Sequence, residues 1–505
     1  MLWYVVLIVT CLFYYSSRRL RYFSSRGIAT LPTTPFFGNL TAVTFGRENF
    51  VEAIAKGYDA FKDQRYFGLY QYLVPTLVPR DPELIRQILV RDFSAFADRG
   101  VHIDEECDPL FGRNLIMLRG SKWRSMRVAL SPAFSGARCR NMAPLMVESA
   151  KSVTNHLQKR IIDEKVIDIN NITMSYVNDV IASCAFGFAV DSLKEPDNCI
   201  YKLGQKAIIQ DTTQVMKFFG YENIKTVMKG LKVKIIATEE AEQFGLLFKS
   251  ALKARKEKLV GPRPDFIQIL VDAMQGKGDD DKISSNSTNA FTDDDLVAQA
   301  VLFYVAGYDT TANLINYFLY EMAVNPHVQE KLNQEIAEMS DEGDVYEAIQ
   351  RLKYLEMCVC EVLRLWPLVG SADRRSVIPY DFGPTYPDSK HSLIAPTGIH
   401  IWIPIYSIHR DEQYWPDPNT CIPERFSPEN KGSIVPYTYL PFGTGPRHCI
   451  GSRFAILAAK VFLVKFLKTY RTKTHREKTK LSPRAFILRP RDGFELTVER
   501  RIEND

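Results

Sequence analysis

The stretch FGTGPRHCIG, residues 442–451, decides the fold of this chain. Two glycines and a proline precede Cys449 and predict a tight, irregular turn. A long helical pattern follows over residues 454–470, so the thiol lies near a helix N-terminus, where the helix dipole favours the thiolate. Glycines let a flat ligand approach the backbone closely, and Arg447 can pair with an anionic group of that ligand.

A single cysteine narrows the kinds of ligand that this turn can hold. One thiolate cannot hold zinc by itself. It can be the single axial ligand of a haem iron. The alternative interpretation is a structural cysteine buried beside a glycine turn, which an arbitrary cysteine would favour. The complete ten-residue pattern favours Cys449 as a metal ligand.

The same stretch resembles the signature of the cytochrome P450 family, the haem-thiolate monooxygenases, which reads F-x-x-G-x-R-x-C-x-G. Every fixed position of that pattern is present, as Phe442, Gly445, Arg447, Cys449 and Gly451. The resemblance implies a mainly α fold with small β-sheets and one large haem domain. It also implies that Cys449 is the proximal ligand of haem b (iron protoporphyrin IX) and that Arg447 contacts a haem propionate. The other haem contacts expected from this stretch are Phe442, Gly443 and Gly451.

A second motif, AGYDTT at residues 306–311, lies inside a predicted helix. Thr292 and Asp295 form a capping-box pattern, which predicts a helix that begins there and runs towards Val324. The motif could instead be an Asp-Thr pair that ends a helix. Apolar residues at helical spacing continue beyond the motif, so we predict that the helix continues through it.

The residues of this motif predict a groove in the helix. Gly307 costs about 1 kcal/mol relative to alanine in a helix interior, and Thr310 can bend a helix by bonding back to a carbonyl of its own turn. Dioxygen could sit in such a groove, and an acid beside an alcohol can relay protons there. The family resemblance implies that Asp309 and Thr310 are catalytic and that Ala306 contacts the haem.

A third motif is Glu361-Val-Leu-Arg364, on a helix that Pro367 closes. An acid and an arginine at this spacing usually form a solvated pair worth less than about 1 kcal/mol. The resemblance implies a buried pair instead. In the family it is joined by the arginine of a downstream Pro-Glu-Arg-Phe segment, which here supplies Arg425. Glu361, Arg364 and Arg425 are therefore expected to be structural.

Two further positions complete the expected haem site. Trp123 and Arg127 share a helix face and alone would suggest a surface cation–π pair. The family uses both residues of this W-x-x-x-R pattern on a haem propionate. Another propionate contact is expected ten or eleven residues after Arg364, at Arg374 or its neighbour Arg375, and we choose Arg374.

The N-terminus predicts a membrane anchor. Residues 1–15 hold no charge, and arginines follow them at positions 18, 19 and 21. Fifteen helical residues rise about 22 Å, and flanking serines and snorkelling arginines can extend this towards the roughly 30 Å hydrocarbon core. A cleaved signal peptide carries its positive charge before the apolar run, whereas here the charge follows it. The basic flank predicts a single-pass anchor in the endoplasmic reticulum (microsomal) membrane, with the body on the cytoplasmic face.

The remaining 467 or so residues read as one body. We predict a transmembrane helix at 1–17, a basic flank and proline-rich hinge at 18–38, and a catalytic domain at 39–505.

Of the 505 residues, 46% are hydrophobic and 24% charged, which excludes collagen-like and disordered chains. The net charge of +5 gives no indication of nucleic-acid binding. Strands are expected near 67–79, 377–405 and 484–499, with helices elsewhere.

The chain carries no nicotinamide or flavin fingerprint, so electrons must come from another protein. The resemblance implies NADPH–cytochrome P450 reductase as that partner, and cytochrome b5 as a possible second donor. The reductase offers an acidic face in that family. The residues that could form a complementary basic patch are Lys122, Arg124, Arg138, Arg140 and Arg447, unless they are scattered solvated charges.

Finer stretches resemble insect microsomal enzymes, most of all the ninth insect family, near the vertebrate third-family drug-metabolising group. These stretches are residues 108–115, 130–134, 371–375 and 436–442. The resemblance implies an unspecific monooxygenase that inserts one atom of O2 into lipophilic small molecules, in detoxification of insecticides and plant toxins. Alternatives are an endogenous lipid or hormone hydroxylase, a haem isomerase that needs no redox partner, and a haem-binding sensor. The candidate substrate-pocket residues are Phe111, Phe303, Val369 and Phe486.

Overall fold

The computed structural model describes residues 2–163, 166–207, 212–235, 239–259, 261, 265–274, 291–340, 343–475 and 479–501. The helices α1 to α19 are, in order, Leu2–Arg19, Thr41–Thr44, Phe50–Ala60, Pro82–Arg86, Pro109–Gly112, Gly120–Leu130, Gly136–Asp163, Ile169–Phe186, Cys199–Ala207, Thr212–Asn223, Lys225–Gly230, Glu239–Lys256, Phe266–Met274, Asp293–Val324, Pro326–Ala337, Val345–Arg351, Lys353–Leu365, Ile405–Ile408 and Ser452–Thr469. The strands β1 to β9 are Tyr66–Gln71, Val74–Pro79, Val166–Asp168, Ala372–Arg375, Tyr380–Pro384, Ser392–Ala395, His400–Ile403, Tyr470–Lys473 and Glu495–Arg500. The expected mainly α fold with small β-sheets is confirmed.

Helix α14 forms the centre of the molecule. The predicted capping box is present: Asp295 N–H donates to Thr292 Oγ1 over 3.2 Å, and Thr292 N–H donates to Asp295 Oδ2 over 2.9 Å. Most side chains between Leu296 and Ala323 are buried, because α8, α12 and α19 pack around this helix. A helix that is buried on all sides in this way is a core helix. Because α14 continues without a break from Asp293 to Val324, the prediction of one helix running through residues 306–311 is confirmed.

Three small sheets border the helical core. The largest has the strand order β1-β2-β7-β4, in which β2 and β7 run parallel and the other neighbours antiparallel. The second has the order β3-β9-β8, and β5 pairs with β6 in the third. Strands β3 and β8 were not expected from the sequence. They are three and four residues long and follow long helices directly, so no alternating pattern could develop in them.

Helix α1 projects apolar side chains into solvent along most of its length. Trp3 is 84% exposed, whereas Ser16 near the other end is buried and accepts a hydrogen bond of 2.8 Å from Phe36 N–H. The C-terminal end of α1 therefore rests on the body. In the part of the chain that the structure describes, no helix combines the length and the apolar character that crossing a membrane requires.

Candidate functional site: a cavity at Cys449

The backbone fixes the position of Cys449. Gly443 and Gly445 have φ values of 67° and 72°, in the left-handed region that glycine favours. A side chain at Gly445 would collide with the Leu89 carbonyl oxygen, so only glycine fits there. Cys449 N–H donates to Phe442 O over 2.9 Å and closes the turn. Helix α19 begins three residues after the cysteine, so the predicted turn and helix are both present.

The Cys449 side chain opens into a cavity of about 330 Å³, whose wall is largely apolar. This opening makes the side chain accessible, although protein surrounds the cavity on most sides. All nine expected haem contacts lie on this wall: Cys449, Arg447, Trp123, Arg127, Arg374, Phe442, Gly443, Gly451 and Ala306. They come from α6, α14, β4 and the 442–451 turn, so the fold brings together residues that are far apart in sequence.

Opposing effects act on the Cys449 thiol. Burial raises its pKa, while the backbone N–H groups of Gly451 and Ser452 and the charge of Arg127 lower it. Burial dominates, so the protein alone favours the thiol. A coordinated metal cation would reverse this balance, because a thiol bound to a metal loses its proton.

Buried arginines on the cavity wall test whether a haem fits. Burial and mutual repulsion with Arg99 lower the pKa of both Arg374 and Arg447 to about 9. The Arg374 Nε is buried without a hydrogen-bond partner among the described residues. Arg99 Nη1 donates to Asp373 Oδ1 over 2.6 Å, so this carboxylate neutralises one of the three guanidinium groups and positive charge remains in excess on the wall. A flat ligand with two carboxylates would compensate that charge, so these residues fit the haem that the family resemblance implies.

Trp123 and Arg447 support each other. The Arg447 guanidinium lies 4.3 Å from the centre of the Trp123 ring, and it donates to Ala97 O over 2.6 Å and to Leu118 O over 2.8 Å. These contacts fix the guanidinium plane at the cavity edge. Because Arg447 is buried, the prediction that it belongs to an exposed docking patch is wrong.

Other members of that predicted patch also have partners within the chain. Arg140 forms ion pairs with Asp344 at 2.7 Å and Glu347 at 3.0 Å, and Lys122 lies 3.7 Å from Glu105. Sequence reasoning could not foresee these partners, because they lie on other helices or loops.

His448 lies beside the thiol and contacts the same wall. Its Nδ1 is 2.8 Å from Gly445 O, which must accept, so this nitrogen carries the proton. Its Nε2 is then free to accept from Arg127, whose Nη2 lies 3.5 Å away. The histidine therefore helps to orient a predicted propionate contact.

The structure separates Arg374 from Arg375. Arg374 reaches the cavity, while Arg375 is absent from the described lining. The backbone N–H of Arg375 donates to Asp98 O over 2.9 Å. This placement agrees with the choice of Arg374. Arg99 is a further lining residue that the sequence analysis missed. It belongs to no motif, and its position depends on its contact with Asp373, which is distant in sequence.

Thr310 places a hydroxyl on the cavity wall. Its Oγ1 donates to Ala306 O over 2.6 Å, the back-bond that the sequence predicted. A methyl group at Gly307 would lie 3.2 Å from Ile181 Cδ1, so the glycine keeps α14 close to α8. Ala306, Gly307 and Thr310, the residues expected to form the groove in the helix, all line the cavity.

Asp309 is held differently from its neighbour. It is buried, forms an ion pair with Arg489, and accepts a 2.9 Å hydrogen bond from Asn313 Nδ2. Burial raises its pKa, and Arg489 opposes that effect only in part. Of the expected acid–alcohol pair, therefore, Thr310 is on the described cavity lining and Asp309 is not.

Glu361 and Arg364 form a fully buried ion pair. Both nitrogens of one edge of Arg364 donate to Glu361, Nε to Oε2 and Nη2 to Oε1, each over 2.8 Å. Arg425 Nε lies 3.4 Å from Glu361 Oε1. Arg364 also donates to His409 O and Pro418 O. The three residues are together, as the structural role requires.

His409 connects this network to the segment that carries Cys449. Leu440 N–H donates to His409 Nε2 over 2.7 Å, so Nδ1 holds the proton and donates to Arg364 O over 3.1 Å. Burial lowers the pKa of His409 to about 3, well below its ordinary value of 6.5. The histidine is neutral in the folded protein throughout the physiological range.

We expect His409 to make the fold acid-sensitive. Between pH 6.5 and 3 the unfolded chain binds a proton on His409 that the folded chain does not bind. The contribution of neutral His409 to the free energy of unfolding is therefore fully present above pH 6.5 and is lost as the pH drops below that value. The loss is about 2 kcal/mol between pH 6.5 and 5. Thermal unfolding at pH 7 and pH 5 measures it. A His409→Gln variant should show a smaller difference between the two pH values, while exposed His327→Gln should match the unmodified protein. An unchanged difference in His409→Gln would refute this.

The four predicted substrate-pocket residues divide into two pairs. Phe303 and Val369 line the cavity. Phe111 instead packs on Phe218, with ring centres 5.4 Å apart, and Phe486 is 40% exposed. Neither belongs to the described lining, so their placement in the pocket is corrected. Phe111 serves a separate apolar cluster, and the segment around Phe486 turns its phenyl ring outward.

Comparison with known proteins agrees with this geometry. The family model "Cytochrome P450" matches residues 29–498. The chain is 38% identical over 508 residues to cytochrome P450 9e2 of Blattella germanica, covering 95% of this chain and 94% of the relative. It is 34% identical to the probable cytochrome P450 9f2 of Drosophila melanogaster, with 98% of each chain covered. Lithocholate 6-beta-hydroxylase of Mesocricetus auratus is 30% identical, with 94% of this chain and 92% of the relative covered.

Proposed function

The chain belongs to the cytochrome P450 family, and from that premise we propose that it is a membrane-anchored haem-thiolate monooxygenase of lipophilic small molecules. The observation that carries the proposal is the cavity in which Cys449 faces an apolar wall rimmed by buried arginines. The thiolate would hold iron, and the arginines would hold the propionates.

The residues of this chain divide the work of the reaction. Haem bound at Cys449 supplies the activation of O2. Arg374, Arg447 and Trp123 orient the group through its propionates. Phe303 and Val369 offer apolar surface that binds a lipophilic substrate and excludes water.

Protons would reach the cavity through α14. The Thr310 hydroxyl is on the wall and donates to Ala306 O at rest, so it can turn to donate into the cavity. Asp309 lies one residue back with a raised pKa, held by Arg489 and Asn313. Releasing Arg489 would let Asp309 pass a proton to the Thr310 side. We therefore assign both residues to proton delivery.

A Thr310→Val variant is expected to lower product formation about 100-fold while its haem spectrum stays unchanged, because a methyl group replaces the proton donor. Product per NADPH consumed, with added NADPH–cytochrome P450 reductase, is the measurement. Thr154→Val is the matched control, since Thr154 Oγ1 makes the same kind of back-bond, to Lys151 O over 2.9 Å, outside the cavity. Asp309→Asn should share the defect of Thr310→Val.

Results of that assay also separate the alternative functions. Full product yield in Thr310→Val would contradict the proton-delivery assignment. Turnover without reductase or NADPH would instead indicate a haem isomerase, and ligand binding without NADPH consumption would indicate a sensor. Cytochrome b5 is proposed as a second electron donor and would raise turnover in the same assay.

The relatives support xenobiotic detoxification as the role, through the insect members of the family. A second candidate is hydroxylation of an endogenous lipid or hormone. It is favoured by the relative from Mesocricetus auratus, whose name gives lithocholate as its substrate. Parallel product analysis with insecticides, plant toxins and steroid acids distinguishes the two roles.

We propose that residues 1–17 anchor the protein in the endoplasmic reticulum membrane and that residues 18–38 lead to a catalytic domain at 39–505 on the cytoplasmic face. Exposed apolar side chains along α1 and the basic residues that follow them support this arrangement. Protease protection of the N-terminus in microsomes tests it.

A further inference from the structure

Helix α10 bridges two parts of the protein that supply walls to the Cys449 cavity. On one side of the helix lies the segment 101–117, which contributes Ile116 to the cavity wall. On the other side lies the four-stranded sheet, whose strand β4 contributes Ala372. A bulky molecule enters an enclosed cavity where wall elements move apart. The contacts that hold α10 in place therefore bear on how a substrate reaches the cavity.

Aromatic side chains hold α10 on both sides. The Phe218 ring packs on Phe111 of the segment 101–117, with ring centres 5.4 Å apart. The Phe219 ring lies 5.9 Å from that of Phe50 on α3 and 5.6 Å from that of Tyr72, which follows β1. Apolar contacts of this kind are not directional. They keep the helix near the sheet but do not fix it in one position.

A directional contact is made by Glu222, near the C-terminal end of α10. Its side chain is only 1% exposed, and its Oε2 accepts a hydrogen bond from Gln71 Nε2 on β1. Gln71 is itself oriented by the sheet, because its Oε1 accepts from Trp402 Nε1 on β7 over 2.8 Å. His400 Nδ1, on the same strand, lies 3.5 Å from Glu222 Oε1. The sheet thus presents a fixed donor to the carboxylate of the helix.

The burial of this carboxylate makes the contact sensitive to small movements. A carboxylate loses its hydration when it is buried, and it needs hydrogen-bond donors in exchange. Glu222 has the Gln71 amide when α10 lies on the sheet, and it would have water if α10 moved away. In a position between these two it would have neither. The contact therefore favours two separate positions of α10, as a two-state element requires.

We propose that Glu222 and Gln71 form a latch that sets how fast bulky substrates enter the cavity. A large lipophilic molecule must wait until α10 leaves the sheet, whereas a molecule as small as carbon monoxide needs no such movement. Glu222 thereby selects among substrates by size, without touching the reacting atoms. The inference rests on the function proposed above, and it adds the residue that determines this selection.

The first test is rapid mixing of the full-length holoprotein with clotrimazole, a bulky imidazole that binds haem iron and shifts the Soret band. Gln71→Met keeps the size of the side chain but leaves the Glu222 carboxylate buried without its donor. Clotrimazole association and dissociation should both become about tenfold faster, because the open position of α10 is populated more. The dissociation constant should stay within about threefold, and the rate of carbon monoxide binding within about twofold.

A double variant separates the latch from general loosening of the sheet. In Gln71→Met/Glu222→Met both polar groups are replaced by apolar ones, so the buried charge disappears together with its need for a donor. Its clotrimazole rates should return to within about threefold of those of the unmodified protein. The matched control is Gln334→Met, the same substitution at an exposed position on α15, which should change neither rate.

Hydrogen exchange of residues 212–230 provides a readout that needs no haem. Exchange there should be about tenfold faster in Gln71→Met and should recover in the double variant. Unchanged clotrimazole rates in Gln71→Met, equal acceleration of carbon monoxide, or a double variant as fast as the single one would overturn the latch. If clotrimazole shifts no Soret band in the unmodified protein, the proposed function fails. Unchanged hydrogen exchange in Gln71→Met would overturn the latch separately.

Discussion

Cys449→Ala is expected to abolish both the strongly red-shifted Soret band of the reduced, carbon-monoxide-bound protein and all reductase-dependent product formation. The reason is that the 442–451 turn presents one sulfur to the cavity, held by the hydrogen bond from Cys449 N–H to Phe442 O. Among the described cysteines, Cys184 on α8 also lines this cavity, and its thiol donates a hydrogen bond to Met142 O. The absorption spectrum of purified protein is the measurement.

The control for this experiment is Cys360→Ala, because Cys360 lies outside the described cavity lining and its loss removes no ligand. It should keep the red-shifted band. A Cys449→Ala protein that keeps the band would mean that another residue holds the iron, and Cys184→Ala would then identify it. Folded protein without haem in either form would overturn the proposed function itself.

Glu361→Ala is expected to destabilise the protein by about 3–5 kcal/mol, because it leaves the Arg364 guanidinium buried without its charge partner. Total stabilities of proteins are about 5–15 kcal/mol, so this change removes a large share. The effect should reach the cysteine turn, since Arg364 is linked through His409 to Leu440. We therefore expect the thiolate band to disappear at much lower urea concentrations than in the unmodified protein.

An exposed acid provides the comparison. Glu499 on β9 bonds Arg471 and Lys473, each over 2.9 Å, but all three side chains are at least a third exposed. Glu499→Ala should cost less than about 1 kcal/mol, because solvent screens such pairs. Equal effects of the two substitutions would contradict the structural role of Glu361.

The sequence predicted the parts of the site that depend on local patterns. The turn at Gly443 and Gly445, the helix through Thr310 and the pairing of Glu361 with Arg364 each follow from residues close together in the chain. Each has a local physical cause: a positive φ, a back-bond or a spacing of three residues.

The sequence could not predict parts that depend on distant contacts. Asp309 is turned from the described cavity lining by Arg489, which is 180 positions away. Arg99 reaches the cavity because Asp373 holds it. Phe111 and Phe486 are aromatic like true lining residues, and only the packing of their segments separates them from Phe303.

The glycine turn has a consequence for how this protein could change over time. Leu89 and the turn's own backbone fix the sulfur, whereas residues such as Phe303 and Val369 on separate elements form the apolar wall. Substitutions on that wall can reshape the space for the substrate without moving the sulfur. Reactivity and selectivity are thus carried by different segments, so an enzyme built in this way can acquire new substrates while its chemistry stays constant.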